Sequence, residues 1–122
     1  MDNEKLSNAL AFANYRITLT TQIEQIKATT KNKLVFAKNG GFFTITPQLI
    51  AFVDLLIREE NKAAILLDDN ETPVRITELS EFRKDILERY QTAVSDYFRE
   101  YERLRKSRKV ESIVGLNNEP AK

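Results

Sequence analysis

Thr46-Pro47-Gln48-Leu49-Ile50-Ala51-Phe52-Val53-Asp54-Leu55-Leu56-Ile57-Arg58 is the stretch on which the fold turns. Its centre, Leu-Ile-Ala-Phe-Val, is rich in β-formers and would suit a strand. Its ends point the other way. Thr46 followed by Pro47 is an N-cap and first helical position, and Arg58-Glu59-Glu60-Asn61 is a polar helix end. The ends decide for a helix through Glu60, with Leu49, Ile50, Phe52, Val53, Leu56 and Ile57 covering more than half its circumference. That coverage predicts a short buried helix, the most buried of the chain. The alternative, residues 49–57 as a strand, would make the centre a small barrel-like sheet.

Upstream, residues 34–46 carry Asn39-Gly40 at their middle. Both corners of a type I′ turn need positive φ, which Asn and Gly supply, so the segment reads as a β-hairpin. A two-residue loop sets Lys38 opposite Gly41, Ala37 opposite Phe42, Phe36 opposite Phe43 and Leu34 opposite Ile45. Leu34, Phe36, Phe43 and Ile45 then share an apolar face. Gly41 would also permit a bulge, which would shift the pairing by one. Downstream, residues 63–67 and 74–76 read as two more strands around the turn Asp68-Asp69-Asn70-Glu71-Thr72-Pro73.

Two long helices flank this centre. The first runs from a cap at Asp2 or Asn3 to about Thr30. Its expected apolar face is Leu6, Leu10, Ala13, Ile17, Ile23 and Ile26, widened by Ala9 and Phe12. The last, residues 78–109, has no Gly or Pro; Thr77 or Ser80 serves as its cap. Leu79, Phe82, Ile86, Tyr90, Ala93, Tyr97, Tyr101 and Leu104 recur at steps of three and four along one side. About 30 residues at 1.5 Å each make a rod of roughly 45 Å, longer than a domain of this size is wide. Part of it must meet another chain or stand in solvent.

The fold class expected is therefore α+β and helix-dominated: two long helices and one short buried helix on small antiparallel β-hairpins. The expected core is Leu34, Phe36, Phe43, Ile45, Leu49, Phe52, Val53, Leu56, Ile65, Leu67, Val74, Ile76, Phe82 and Ile86. Residues 1–116 read as a single domain. After Lys109, Val110, Ile113, Val114 and Leu116 form a small apolar patch around Gly115, and residues 117–122 read as a flexible tail.

Composition narrows the function classes. The 122 residues, 42% hydrophobic, suffice for a modest core. Basic and acidic residues number 19 and 18, a net charge of +1, which gives no global attraction to nucleic acid or anionic membrane. The absence of Cys excludes thiolate metal sites and cysteine nucleophiles, and the absence of His removes the usual general base at neutral pH. No apolar run is long enough to span a bilayer, and the polar N-terminus is unlike a signal peptide. The chain reads as soluble, intracellular and cytoplasmic, without membrane contact.

No motif supplies a catalytic, cofactor-binding or metal site. The acidic turn fails the EF-hand pattern, with Pro73 and Leu79 where Gly and Glu are needed. Lys38-Asn39-Gly40-Gly41 leads into a strand, not the helix a phosphate-binding loop requires. Glu78, Glu81, Asp85 and Glu88 lie on one helix face, where they match the helix dipole and pair with Arg83, Lys84 and Arg89. They do not face each other across a cleft. Arg99, Arg103, Arg105, Lys106, Arg108 and Lys109 form a basic segment beside Tyr97, Phe98 and Tyr101. That pattern suits phosphate and base contact, and equally a helix C-terminus. Tyr90, Tyr97, Phe98, Tyr101 and Leu104 suit an interface stripe, since tyrosine buries a ring and keeps its hydroxyl wet.

Together these features predict a non-enzymatic interaction or assembly protein acting through long-helix surfaces, self-associating as a homodimer in a four-helix arrangement. A protein partner suits the same surfaces, and the alternative is a nucleic-acid-binding accessory protein using the basic segment. The general look is similar to small accessory proteins of tailed phages, without a motif that carries over any residue.

Overall fold

The computed structural model describes residues 2–117, with side chains over residues 3–107. The element order is α1 (Asp2–Lys33), β1 (Val35–Lys38), β2 (Gly41–Thr44), α2 (Pro47–Arg58), β3 (Ala64–Leu67), β4 (Pro73–Ile76) and α3 (Leu79–Asn117). This is the helix-dominated α+β fold, with two separate two-stranded antiparallel sheets, β1-β2 and β3-β4. The chain packs as two units. One comprises Thr29–Asp96; the other takes Met1–Ala28 with Tyr97–Lys122.

The central unit, Thr29–Asp96, holds the hydrophobic core. Asn39 and Gly40 both adopt positive φ, 51° and 84°, as a type I′ turn demands. The register is Lys38↔Gly41, Ala37↔Phe42, Phe36↔Phe43 and Val35↔Thr44, and the Ile45 amide donates to the Leu34 carbonyl at 2.7 Å. No bulge intervenes. Phe36, Phe43 and Ile45 are buried, while Val35 and Phe42 on the opposite face are about half exposed.

Helix α2 forms as its ends predict. The Thr46 side chain accepts a hydrogen bond from the Leu49 amide at 3.1 Å, and Pro47 is its first residue. The residues 49–57 strand and its barrel-like sheet are not formed. Its burial is narrower than expected: Val53 is fully buried and Leu49, Ile50, Leu56 and Ile57 are half-buried, but Phe52 is about half exposed. One face of α2 meets the core, and a core this small cannot cover more. The helix ends with Glu60 at φ 67°. The Asn61 amide donates to the Leu56 carbonyl at 3.0 Å and the Glu60 amide to Ile57 at 2.9 Å, a Schellman-type end with Glu where glycine is usual.

In β3 the inward side chain is Leu66, and Ile65 and Leu67 are more than half exposed. This reverses the expected parity. Leu66 pairs with Val74 and Ala64 with Ile76, so residues sharing a face with buried Val74 and Ile76 must be the even-numbered ones of β3. The loop joining the strands sets that register, and periodicity over four residues cannot.

Helix α3 begins at Leu79 without a Thr77 or Ser80 cap. Its first amide, on Leu79, donates to the Lys62 carbonyl at 2.9 Å, so a loop carbonyl does what a side-chain cap would do. Leu79, Phe82 and Ile86 are almost wholly buried, and Phe82 packs its ring on Phe36 and Phe43 at 5.9 and 5.4 Å between centroids. Arg83 does not pair along its own helix. It donates to Asp54 of α2 at 2.6 Å, and Arg58 reaches the same carboxylate at 2.9 Å. The Arg89 guanidinium lies 4.4 Å over the Phe36 ring.

The outer unit is built from α1 and α3 segments. Tyr97, Tyr101 and Leu104 of α3 continue the series Leu79, Phe82, Ile86, Tyr90 and Ala93, in repeating steps of three, four and four. Eleven residues per three turns, about 3.67 per turn, keep such a stripe on one side with little supercoiling. On α1 within this unit the buried and half-buried positions among residues 3–28 are Tyr15, Leu19, Ile23 and Ile26. Helix α1 already includes Asp2 and Asn3, so neither is its cap, and it ends at Lys33 rather than Thr30. Helix α3 runs past Lys109 through Gly115 to Asn117. The side chains of Val110, Ile113, Val114 and Leu116 and residues 118–122 of the expected tail lie outside the described residues.

Candidate interaction surfaces

The acidic turn of residues 68–72 is the densest polar site of the central unit. Asp68 is buried and accepts three backbone amides: Thr72 at 2.8 Å and Asn70 at 2.9 Å on Oδ1, and Phe42 at 3.1 Å on Oδ2. Asp69 accepts the Thr44 amide at 2.9 Å and its hydroxyl at 2.6 Å, while the Asp69 amide donates to the Phe42 carbonyl at 2.9 Å. Asn39 donates to the Arg75 carbonyl at 2.9 Å. Two hairpins with no shared ladder are thus joined by side chains and one backbone bond. The outer edge of β2, which would otherwise present open amides, is closed by two carboxylates. The Thr72 amide, then those of Phe42 and Asn70, hold the Asp68 carboxyl below the usual carboxylate range against the opposing effect of burial. Gly41 makes room for this clasp: a Cβ there would sit 2.6 Å from Val74 Cγ2 and 3.2 Å from Asp68 Cβ.

Also in the central unit, an open groove of about 440 Å3 runs between α2 and α3. Ile50, Ala51, Leu87 and Tyr90 line it, with the Asp54–Arg83 pair at its wall. Tyr90, one of the expected interface residues, is half-buried here against the core cluster.

In the outer unit, Leu104 is buried and shares a small cleft with Leu19, Ile23 and Tyr101. The Tyr97 and Tyr101 rings are 5.9 Å apart, both half-buried. Of the five expected interface residues, Phe98 is the one largely exposed, at 64%. The stripe thus serves the chain's own packing over most of its length.

Arg99, Arg103, Arg105 and Lys106 are all exposed. Arg103 places Nε and Nη2 on one Glu100 oxygen, at 3.3 and 2.7 Å. Arg105 pairs with Glu102 at 3.3 Å and lies 5.9 Å over the Tyr101 ring. Arg103 and Arg105 therefore each sit beside a carboxylate of their own helix. The side chains of Arg108 and Lys109 lie outside the described residues.

The surface that sequence reading misplaced is on α1. Leu6, Leu10 and Ile17 are 61%, 56% and 64% exposed, and Ala13 is exposed with them. At about 100° per residue these four fall roughly opposite Tyr15, Leu19 and Ile26 on the helix. The single face expected from residue 6 to 26 is two faces, one packed within the chain and one turned to solvent. A second signal marked it: residues 6–23 contain one charged side chain, Arg16, in a chain that is 30% charged. Solvent-facing helix surface is ordinarily charged, and loss of charge is the compositional mark of an interface centre.

No helix among the described residues is long and apolar enough to cross a membrane. No family model, curated protein or solved structure matches the chain.

Proposed function

We propose that this chain is a non-enzymatic assembly protein that associates through the α1 surface of its outer unit. The observation that carries the reading is the stripe Leu6, Leu10, Ala13 and Ile17: apolar, exposed and free of charge over three turns. The chemistry of the rest supports it, because the carboxylates dense enough to suggest a site, Asp68 and Asp69, are taken up in binding backbone amides. Sedimentation of the full chain from about 1 to 100 µM, a range spanning weak to moderate association, tests the reading. Association that Leu10→Lys abolishes and Arg103→Gln leaves intact is the expected result. Association indifferent to Leu10→Lys, or none at all, overturns it.

A second reading, nucleic-acid contact, draws on the exposure of Arg99, Arg103 and Lys106 at steps of four and three on one α3 face. Phosphate contact would appear as salt-dependent binding of single-stranded oligonucleotides, lost on neutralising those three. The pairing of Arg103 with Glu100 and of Arg105 with Glu102 weighs against it.

A further inference from the structure

The α1 stripe has a pattern that specifies its partner. Asn3, Leu6, Leu10, Ala13, Ile17 and Thr20 recur at steps of three, four, three, four and three, the a/d spacing of a coiled-coil seam. All six are exposed. The Thr20 hydroxyl donates to the Arg16 carbonyl at 3.0 Å, so its own hydrogen bond is already made and its methyl can serve the seam.

We infer that the occupant of this seam is a second copy of the same helix, running antiparallel, with residue i of one protomer facing residue 23 − i of its partner. This rests on the assembly reading above and adds the partner, the direction and the register. In that register Leu6 meets Ile17, and Leu10 meets Ala13, a large side chain filling the space over a small one. Asn3 meets Thr20, closing each end with a polar pair. The arrangement is isologous, each contact occurring twice about a twofold axis between residues 11 and 12.

Charge selects this direction over the parallel one. The next seam position after Thr20 is Glu24, an exposed carboxylate. A parallel dimer would set the two Glu24 side chains face to face, a like-charge pair in the seam. The antiparallel register instead puts the two Glu24 side chains at opposite ends of the seam, roughly 37 Å apart along the axis at 1.5 Å per residue. Arg16, the one charge within residues 6–23, shares its flank of the pair with Ala9 of the partner helix, so no cation stands opposite it.

The size of the contact sets its strength. The seam and its flanks, Ser7, Ala9, Asn14, Arg16 and Thr21, amount to about eleven residues a side, roughly half of a standard protein interface. The dimer is accordingly expected at micromolar rather than nanomolar concentration.

The chain has no cysteine, which allows a clean test of direction. The full-length variants Leu6→Cys and Ile17→Cys are each prepared alone and then mixed under mild oxidation at about 100 µM, well above micromolar affinity. Circular dichroism confirms that each is folded. The proposal expects a Leu6→Cys to Ile17→Cys disulfide, favoured at least fivefold over either variant linked to itself, and suppressed when Leu10→Lys is added to both. Self-linked products in preference to the mixed one, or no linkage of any kind, overturn the antiparallel seam. If the unmodified chain still associates in a manner sensitive to Leu10→Lys, the assembly reading survives that loss; if it does not, both fall.

Discussion

The central unit and the outer unit both leave apolar side chains in solvent, but they differ in how much they bury. In the central unit every strand and helix turns an apolar face inward, and Phe82, Ile86, Val53 and Ile45 are at most 1% exposed. Polar side chains there are tied into the framework, as with Asp68 on three amides and Asp54 between two arginines. The outer unit buries less: Leu19 and Leu104 are its buried hydrophobics among the described residues, while Leu6, Leu10, Phe12, Ile17 and Phe98 are more than half exposed. The lesson is that apolar content alone does not mark a core. A face without charge that stays in solvent marks surface kept for another molecule.

Five substitutions break or sharpen that contrast. The largest effect belongs to Phe82→Ala, which removes a ring packed between Phe36 and Phe43 and is expected to cost about 3–5 kcal/mol in urea unfolding. Gly41→Ala comes next. Its Cβ meets Val74, a buried branched side chain with little room to move, so a loss of about 1–3 kcal/mol is expected.

The third test is acid titration. Asp68 has its folded pKa lowered by the Thr72, Phe42 and Asn70 amides, so below its ordinary range the unfolded chain binds the proton first. Its stabilisation is therefore present above the unfolded pKa of about 3.9 and is lost as pH falls through the lower folded value. Melting temperatures measured from pH 6 to pH 2 should fall more steeply for the wild type than for Asp68→Asn. Parallel curves would remove Asp68 from the account.

Glu60→Gly acts in the other direction. Glu60 holds φ 67° at the end of α2, a conformation that glycine adopts without steric cost, and a gain of about 0.5–1 kcal/mol is expected. The smallest change in folding stability is Leu10→Lys, within about 0.5 kcal/mol for an isolated protomer because the side chain is already in water. Its effect should appear in sedimentation instead. A cost above about 2 kcal/mol, typical of a buried site, would show that Leu10 belongs to a core after all.

Much of the central unit was legible in the sequence because its signals are local and stereochemical. Asn39-Gly40 dictates a turn type, the turn dictates a register, and Thr46-Pro47 starts a helix whatever lies inside it. Leu66 was missed because four apolar residues in a row, Ala64 to Leu67, carry no alternation to read. The Leu79 cap was missed because it comes from Lys62, a contact across sixteen intervening residues. On α1 the failure was one of phase. Leu6, Leu10, Ala13 and Ile17 and the pair Ile23 and Ile26 each fit helical spacing, yet adding the angles separates them by a third to a half turn. At Asp68 and Asp69 the sequence shows an acidic turn, and the reach of both carboxylates to β2 is invisible without the fold.

The clasp on β2 has a consequence for how the chain behaves outside its native conditions. An edge covered by another strand stays covered until the sheet unfolds. An edge covered by carboxylates is latched by charge, and protons undo it. As pH falls through the lowered pKa of Asp68, its hold on the amides of Phe42, Asn70 and Thr72 weakens. That leaves a short apolar strand with an open side, next to Val35 and Phe42, which are already in water. Fibrillar aggregation in strong acid, followed by thioflavin fluorescence, is then the expected failure mode, and the Asp68→Asn variant should show it less pH-dependently.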